Sequence, residues 1–169
     1  FQHLLDIDFR TLELVPVLAE SRPKIEKTAE GGMHMTYHIR PEAKWDNGSS
    51  VTAKDVAFTF KVIKNPLVNN PHAKSYYEFI QDIQLYSDDS LKFTIVCSSV
   101  YILAEAASGD CPILPEYFYD NDGLLKNFTV KQIATEAEKL KDDPVIKKFA
   151  NDFNSEKKNI NTDKHIFRF

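Results

Sequence analysis

The sequence predicts a mixed α+β domain in which antiparallel hairpins pack against helices. Three observations lead to this fold class. Two pairs of segments alternate apolar and polar residues around turn residues, and one apolar stripe at helical spacing lies between these pairs. The last quarter of the chain is rich in Lys, Glu and Ala at helical spacing. The expected order is therefore hairpin, helix, hairpin and a helical C-terminal part.

The first hairpin is predicted over residues 23–29 and 33–40. Gly31 and Gly32 lie between the two strands, and paired glycines supply the positive φ that a tight hairpin turn needs. The apolar segment before it, at 12–21, contains a proline and is not assigned to a strand or helix. Period-2 alternation in the second strand indicates a sheet with one buried face. Its apolar positions are Met33, Met35, Tyr37 and Ile39.

The turn and helix that follow carry strong local signals. Asp46-Asn47-Gly48 is turn chemistry, because Asp and Asn side chains bond the nearby backbone and Gly adopts the left-handed conformation. Thr52 is the predicted N-cap of a helix over 53–64, and Asp55 completes a capping box with Asp in the place of Glu. The core-facing stripe at i, i+4 and i+7 consists of Val56, Phe60 and Ile63.

The remaining elements are predicted from similar signals. A short helix is expected at 72–80, and a second pair of alternating strands surrounds the Ser/Asp turn at 87–90. A helix is expected at 100–108, and two more at 129–142 and 144–153. The residues expected to cap or begin these last two helices are Thr129, Asp143 and Pro144.

Composition excludes several classes of protein. The 169 residues correspond to one domain, or two at most. Hydrophobic residues make up 43% and charged residues 27%, which is typical of globular rather than disordered chains. Lys and Arg number 21 against 25 Asp and Glu, and this net charge of -4 argues against a nucleic-acid partner. No apolar run reaches the roughly 18 to 20 residues of a membrane span.

The residues offer no catalytic or metal-binding constellation. His34 and His38 share a strand face, but four residues of strand separate them by roughly 13 Å, which is too far for one metal ion. Cys97 and Cys111 form no CxxC motif. They either pair in a disulfide or lie in the core as small apolar residues, and the second interpretation is favoured. The sequence therefore predicts no enzyme activity, no cofactor and no metal.

Four short motifs in a fixed order carry a resemblance to a known family. They are Pro16–Ser21 (PVLAES), Met35–Arg40 (MTYHIR), Ala43–Gly48 (AKWDNG) and Val51–Phe60 (VTAKDVAFTF). Their order, spacing and residue types resemble the extracellular solute-binding proteins of family 5, which serve ABC importers of oligopeptides, dipeptides and nickel. The second hairpin and Ile113–Tyr117 (ILPEY) extend the resemblance to about residue 120.

The resemblance departs from the family pattern at three places. The tryptophan that follows Glu-Ser in the family is replaced by Arg22-Pro23, Asn47 stands between the Asp and Gly of the turn, and Ser49-Ser50 replaces the Ser-x-Pro that follows. These changes leave the fold expectation intact and leave the solute open.

The resemblance implies a fragment of the two-lobed periplasmic-binding-protein type II (class C) fold, mainly its extra subdomain. Residues 1–120 are expected to form a subdomain of the first lobe, and 121–169 a helical, insertion-like segment. The chain begins without Met, and 165–169 reads as the start of a strand, so a piece of a larger protein is expected.

The resemblance also implies a function and a location. The expected function is capture of peptides or related small solutes for an ABC transporter, with a transporter permease as partner and without nucleic acid or a direct membrane span. The expected location is the bacterial periplasm, or the cell surface through a lipid anchor. The alternative is a ligand-sensing or periplasmic chaperone use of the same domain without transport.

Two tyrosines are the candidate ligand-binding residues. Tyr76 and Tyr77 follow a Pro-His-Ala-Lys-Ser segment, where family members often have an aromatic residue near the mouth of the pocket. The alternative is that they are core aromatics of the short helix. Structural rather than ligand-binding roles are expected for Trp45, Asp46, Gly48, Thr52 and Asp55.

Overall fold

A computed structural model describes residues 2–155 of the chain. The strands found there are β1 (Leu5–Ile7), β2 (Leu14–Pro16), β3 (Lys24–Lys27), β4 (Met33–His38), β5 (Ile80–Leu85) and β6 (Lys92–Cys97). The helices are α1 (Ala53–Lys64), α2 (Pro71–Tyr76), α3 (Ala104–Gly109), α4 (Glu116–Tyr119), α5 (Val130–Thr135), α6 (Ala137–Leu140) and α7 (Pro144–Asn154). The strand start predicted at 165–169 lies outside the described residues.

The strands form two antiparallel sheets, β1-β2 and a four-stranded sheet in the order β3-β4-β6-β5. Both predicted hairpins are confirmed, and the central strand β4 alternates buried and half-buried residues along its length. Gly31 adopts a φ of 84° in the first turn. At Gly32 an added Cβ would lie 2.8 Å from the carbonyl oxygen of Cys97, so the close approach of the neighbouring strand requires glycine there.

Helix α1 lies between two hydrophobic clusters. The first joins the four-stranded sheet to one face of the helix, and the predicted stripe of α1 lies within it. The second covers the opposite face through Phe58 and Val62, where Phe149 of α7 packs edge-on against Phe58 at 6.0 Å. Because α1 is covered on both faces, it connects the sheet to the helical C-terminal part.

Several predicted boundaries differ from the structure. The short helix predicted at 72–80 ends at Tyr76, and Ile80 is already the first residue of β5. The helix predicted at 100–108 begins only at Ala104, and the preceding residues form an exposed loop. The helix predicted at 129–142 is two short helices that meet at Glu136, whose backbone leaves the α conformation. The hydroxyl of Thr135 donates to the backbone of the preceding turn, a bond that bends helices. The unassigned segment at 12–21 contains strand β2.

The two cysteines are free thiols in the core. Cys97 is 2% exposed and Cys111 is fully buried. The favoured interpretation, two small apolar core residues, is confirmed. Burial raises the pKa of the Cys97 thiol to about 11 and that of the Cys111 thiol to about 12, so both stay protonated at neutral pH.

Candidate functional site

The ring of Tyr76 is exposed to solvent at the end of helix α2. This helix follows Asn70 and begins at Pro71, whose fixed φ favours the first helical turn. Tyr76 is 54% exposed and packs edge-on against the ring of Tyr77 at 4.9 Å. An exposed tyrosine held by a neighbouring ring presents a large amphipathic surface at low entropic cost.

Two depressions flank Tyr76, and together they are called the Tyr76 surface below. The first has a volume of about 440 Å³, and its lining includes Tyr76, Glu78, Phe79, Ser98, Val100 and Tyr101. The second has a volume of about 660 Å³, and its lining includes Pro71, His72, Ser75, Tyr76, Tyr77 and Pro112. Tyr76 therefore forms a wall common to both.

Tyr77 is the buried member of the tyrosine pair. It is 7% exposed and packs edge-on against Phe60 of α1 at 5.6 Å. Burial, and after it the neighbouring Cys111, raises the pKa of Tyr77 well above its usual range. Tyr77 reaches the second depression only as part of its wall, and its main contacts are with the core.

The Tyr76 surface is positioned by hydrogen bonds from neighbouring elements. The ammonium of Lys64, at the end of α1, donates to the carbonyl oxygens of Tyr77 at 2.8 Å and Glu78 at 3.3 Å. The backbone N–H of Ser98 donates to the carbonyl oxygen of Phe79 at 3.0 Å. These bonds tie the start of β5 to α1 on one side and to the loop after β6 on the other.

The loop at 99–103 contributes aromatic and aliphatic residues that the sequence reasoning missed, because it placed them in a helix. Val100 is 47% exposed, Ile102 is 93% exposed, and Tyr101 packs against Phe79 with ring centroids 5.0 Å apart. The sequence carried no capping signal for the observed start, because Leu103, directly before Ala104, is not a capping residue.

The chemistry of the Tyr76 surface suits binding through side-chain packing. Aromatic rings and aliphatic groups offer contact area, and serine hydroxyls beside them offer hydrogen bonds. Among the described residues that line the first depression, Glu78 is the only charged one, so a positively charged group would be favoured near it. In residues 2–155 no group of three or more His, Cys, Asp and Glu side chains is placed to hold a metal ion.

The predicted structural motif centres on the carboxylate of Asp55. It accepts hydrogen bonds from the backbone N–H of Thr52 at 2.8 Å, from the hydroxyl of Thr52 at 3.2 Å and from the backbone N–H of Glu116 at 3.2 Å. The indole N–H of Trp45, a residue only 2% exposed, also favours the charged form of this carboxylate. Burial raises the pKa of Asp55 above its usual range, and these hydrogen bonds oppose the shift.

The turn before α1 completes this arrangement. Gly48 adopts a φ of 85°, and the carboxylate of Asp46 accepts a hydrogen bond from the hydroxyl of Tyr117. Tyr117 also packs edge-on against Trp45 at 6.3 Å. None of these groups lines either depression of the Tyr76 surface within the described part of the chain.

Comparison with known proteins places the chain in a group of binding proteins. Residues 13–145 match the family model "Bacterial extracellular solute-binding proteins, family 5 Middle". A 46-residue segment is 41% identical to the periplasmic oligopeptide-binding protein OppA of Haemophilus influenzae, and it covers 27% of this chain and 8% of that protein.

Solved structures share the fold. The oligopeptide-binding protein of Thermus thermophilus, complexed with a pentapeptide, matches 94% of this chain and 27% of its own at a TM-score of 0.60 and 19% identity. NikZ of Campylobacter jejuni, in complex with Ni(L-His), matches 78% of this chain and 24% of its own at a TM-score of 0.58 and 22% identity. The predicted fold class is confirmed: the chain is α+β and corresponds to part of the type II periplasmic-binding-protein fold. It spans about a quarter of the length of these structures.

Proposed function

Because the chain belongs to the bacterial extracellular solute-binding proteins of family 5, we propose that it is part of a protein that captures peptides or related small solutes for an ABC importer. The observation that carries the proposal within this chain is the exposed Tyr76 ring between two depressions. The ligands of two matched structures, a pentapeptide and Ni(L-His), are consistent with an amino-acid-based solute.

In this proposal the chain supplies one wall of the solute site. Tyr76 packs against an apolar side chain or a peptide plane of the solute, and Tyr77 supports that ring from the core. The rest of the two-lobed protein closes over the solute by hinge motion. The carboxylate of Glu78 attracts a positively charged group of the solute, such as a terminal amine.

The proposed location is outside the cytoplasm, either in the periplasm or at the cell surface through a lipid anchor. A transporter permease is the proposed partner. Within residues 2–155 no helix combines the length and the apolar character that crossing a bilayer requires.

Calorimetric titration of the two-lobed protein with a peptide library tests the role of Tyr76. Tyr76→Ala is expected to weaken binding by about 10- to 100-fold, because a central aromatic contact contributes on the order of 1.4 to 2.8 kcal/mol. Tyr76→Phe removes the hydroxyl but keeps the aromatic ring, so it should retain most of the affinity if ring packing dominates.

The matched control is Phe9→Ala, which truncates an aromatic ring that is 88% exposed and lies outside both depressions. It should leave peptide affinity unchanged. Equal affinities of the wild type, Phe9→Ala and Tyr76→Ala proteins would contradict the role of Tyr76. Peptide binding without a contribution to uptake by cells would favour the sensing or chaperone use over transport.

A further inference from the structure

A separate cavity of about 440 Å³ lies between the end of α1, helix α2, the start of β5 and the α5–α6 segment. It is called the lysine cavity, and the residues that matter for its chemistry are Lys64, Lys74, Lys141, Glu78, Glu138 and Thr135. Three lysine residues line this one cavity, although the chain as a whole carries a net charge of -4. Nothing in the solute-binding proposal accounts for this concentration of positive charge.

Lys64 is a partly buried cation that bonds only to carbonyl oxygens among the described residues. Its two hydrogen bonds go to the backbone of Tyr77 and Glu78 at the start of β5. An ammonium group has three N–H donors, so one remains. Within the described part of the chain Lys64 forms no salt bridge with a carboxylate. Burial lowers the pKa of Lys64 to about 8.

Lys74 repeats this arrangement on helix α2. Its ammonium donates to the carbonyl oxygens of Val68 at 2.7 Å and Pro66 at 3.2 Å, which again leaves one donor. It too forms no salt bridge among residues 2–155. Burial, and after it the nearby ammonium of Lys141, lowers the pKa of Lys74. Two like charges therefore repel each other across the cavity.

The carboxylates of the cavity do not balance these charges. Glu138 pairs with Lys141 at 2.6 Å, which accounts for one cation. Glu78 is an exposed rim residue that favours the charged form of Lys64 without forming a salt bridge to it. Partly buried ammonium groups without a salt bridge are costly, and an anion near Lys74 and Lys141 would relieve the repulsion between these two charges.

We propose that the lysine cavity binds a small oxyanion of the phosphate or carboxylate class, attracted by the positive charges of Lys74, Lys141 and Lys64, which line it. Thr135 also lines the cavity, and its hydroxyl donates to the carbonyl oxygen of Lys131. Charge-assisted N–H···O bonds from an ammonium group to an oxyanion are among the stronger hydrogen bonds in proteins. The cavity shares Glu78 with the first depression of the Tyr76 surface, but its three lysines line neither depression, and the proposal does not rest on solute binding.

The proposal has a defined pH dependence. The site needs Lys64 and Lys74 as cations, and the carboxyl groups in the same lining are those of Glu78 and Glu138. Affinity for the anion is therefore highest below about pH 8 and falls as pH rises through the pKa of Lys64. Because a bound anion favours the ammonium form, binding at pH 8 should be accompanied by proton uptake.

Calorimetric titration of the protein with inorganic phosphate, and in a second arm with acetate, tests the site at constant ionic strength set with chloride. Saturable binding tighter than about 1 mM is expected for at least one of the two anions. The arm that binds identifies the class: phosphate points to a free or esterified phosphate, and acetate to a carboxylate.

Three variants make the test specific. Lys74→Met should weaken binding by about 10-fold or more, and Lys141→Met by about 3- to 10-fold, since each removes one charge near the anion. Lys141→Met also guards against misfolding, because the only salt bridge of Lys141 among residues 2–155 is to the exposed Glu138. Lys139→Met is the control, since Lys139 is 82% exposed and does not line the cavity. Absence of saturable binding, or equal affinity in the Lys141→Met and Lys139→Met proteins, would overturn the proposal.

Discussion

Replacing Asp55 by alanine is expected to destabilise the protein through three separate contacts. The carboxylate caps helix α1 through the backbone and hydroxyl of Thr52, accepts a hydrogen bond from the N–H of Glu116 at the first residue of α4, and interacts with the indole N–H of Trp45. Removal leaves these donors without their acceptor in a region where Asp55 itself is only 6% exposed.

The magnitude follows from these contacts. Loss of the cap costs about 1 kcal/mol, and a buried donor left without a partner costs about 1 to 3 kcal/mol. Part of this is offset, because the raised pKa of Asp55 shows that burial disfavours its charge. The net expectation is a decrease of about 2 to 3 kcal/mol in the free energy of unfolding for Asp55→Ala. Asp55→Asn keeps one acceptor oxygen and should lose about half as much.

The assay is urea unfolding at pH 7, followed by circular dichroism, with thermal unfolding as a second measurement. The midpoint of thermal unfolding should fall by roughly 4 to 10 °C for Asp55→Ala in a domain of this size. Asp88→Asn is the control, because Asp88 is an exposed turn residue and should change the free energy by less than about 0.5 kcal/mol. The reasoning would be refuted if Asp55→Ala and Asp88→Asn had the same stability.

Two further predictions concern buried titratable groups. Cys97 and Cys111 are buried free thiols, so they should react with a thiol reagent only after unfolding. For the same reason a reductant should leave the melting temperature unchanged. Reaction of the native protein, or a melting temperature lowered by reductant, would contradict this. The pKa of Lys64 is about 8 in the folded protein and has its ordinary value of 10.5 in the unfolded chain. Between these two pH values the unfolded chain binds the proton more tightly than the folded protein. Folding therefore becomes more favourable as pH rises through this range. The free energy of unfolding of the wild type relative to that of Lys64→Met, measured with urea and without phosphate, should therefore increase from pH 8 to 10.5. A difference that does not change with pH would contradict the statement that burial disfavours the charge of Lys64.

Much of the secondary structure could be predicted from the sequence, because its signals lie within a few residues of one another. The glycine turn and alternating strand predicted the first hairpin, and Thr52 with Asp55 predicted the first residue of α1. Thr129 and Asp143 cap α5 and α7 as expected. Where the local signals were mixed, as in the aromatic and aliphatic run before Ala104, the predicted boundary was wrong.

The candidate site was only partly accessible to such reasoning. The sequence placed two aromatic residues at 76 and 77 but could not distinguish them, because neighbouring tyrosines have the same local preferences. The exposed loop at 99–103 lies at the site because β6, which precedes it, ends beside the start of β5. The prediction that Tyr76 and Tyr77 bind the solute remains open to the titration proposed above.

The sequence by itself determined the α+β class, the family resemblance and most helix and strand starts, since hydrophobic period, caps and turn residues act over short distances. The tertiary structure decided which residues are buried. Tyr77 is buried where Phe60 of α1 packs against its ring, whereas the ring of Tyr76 is exposed. Contacts between segments far apart in the chain determine burial, and no local pattern around residue 76 contains them.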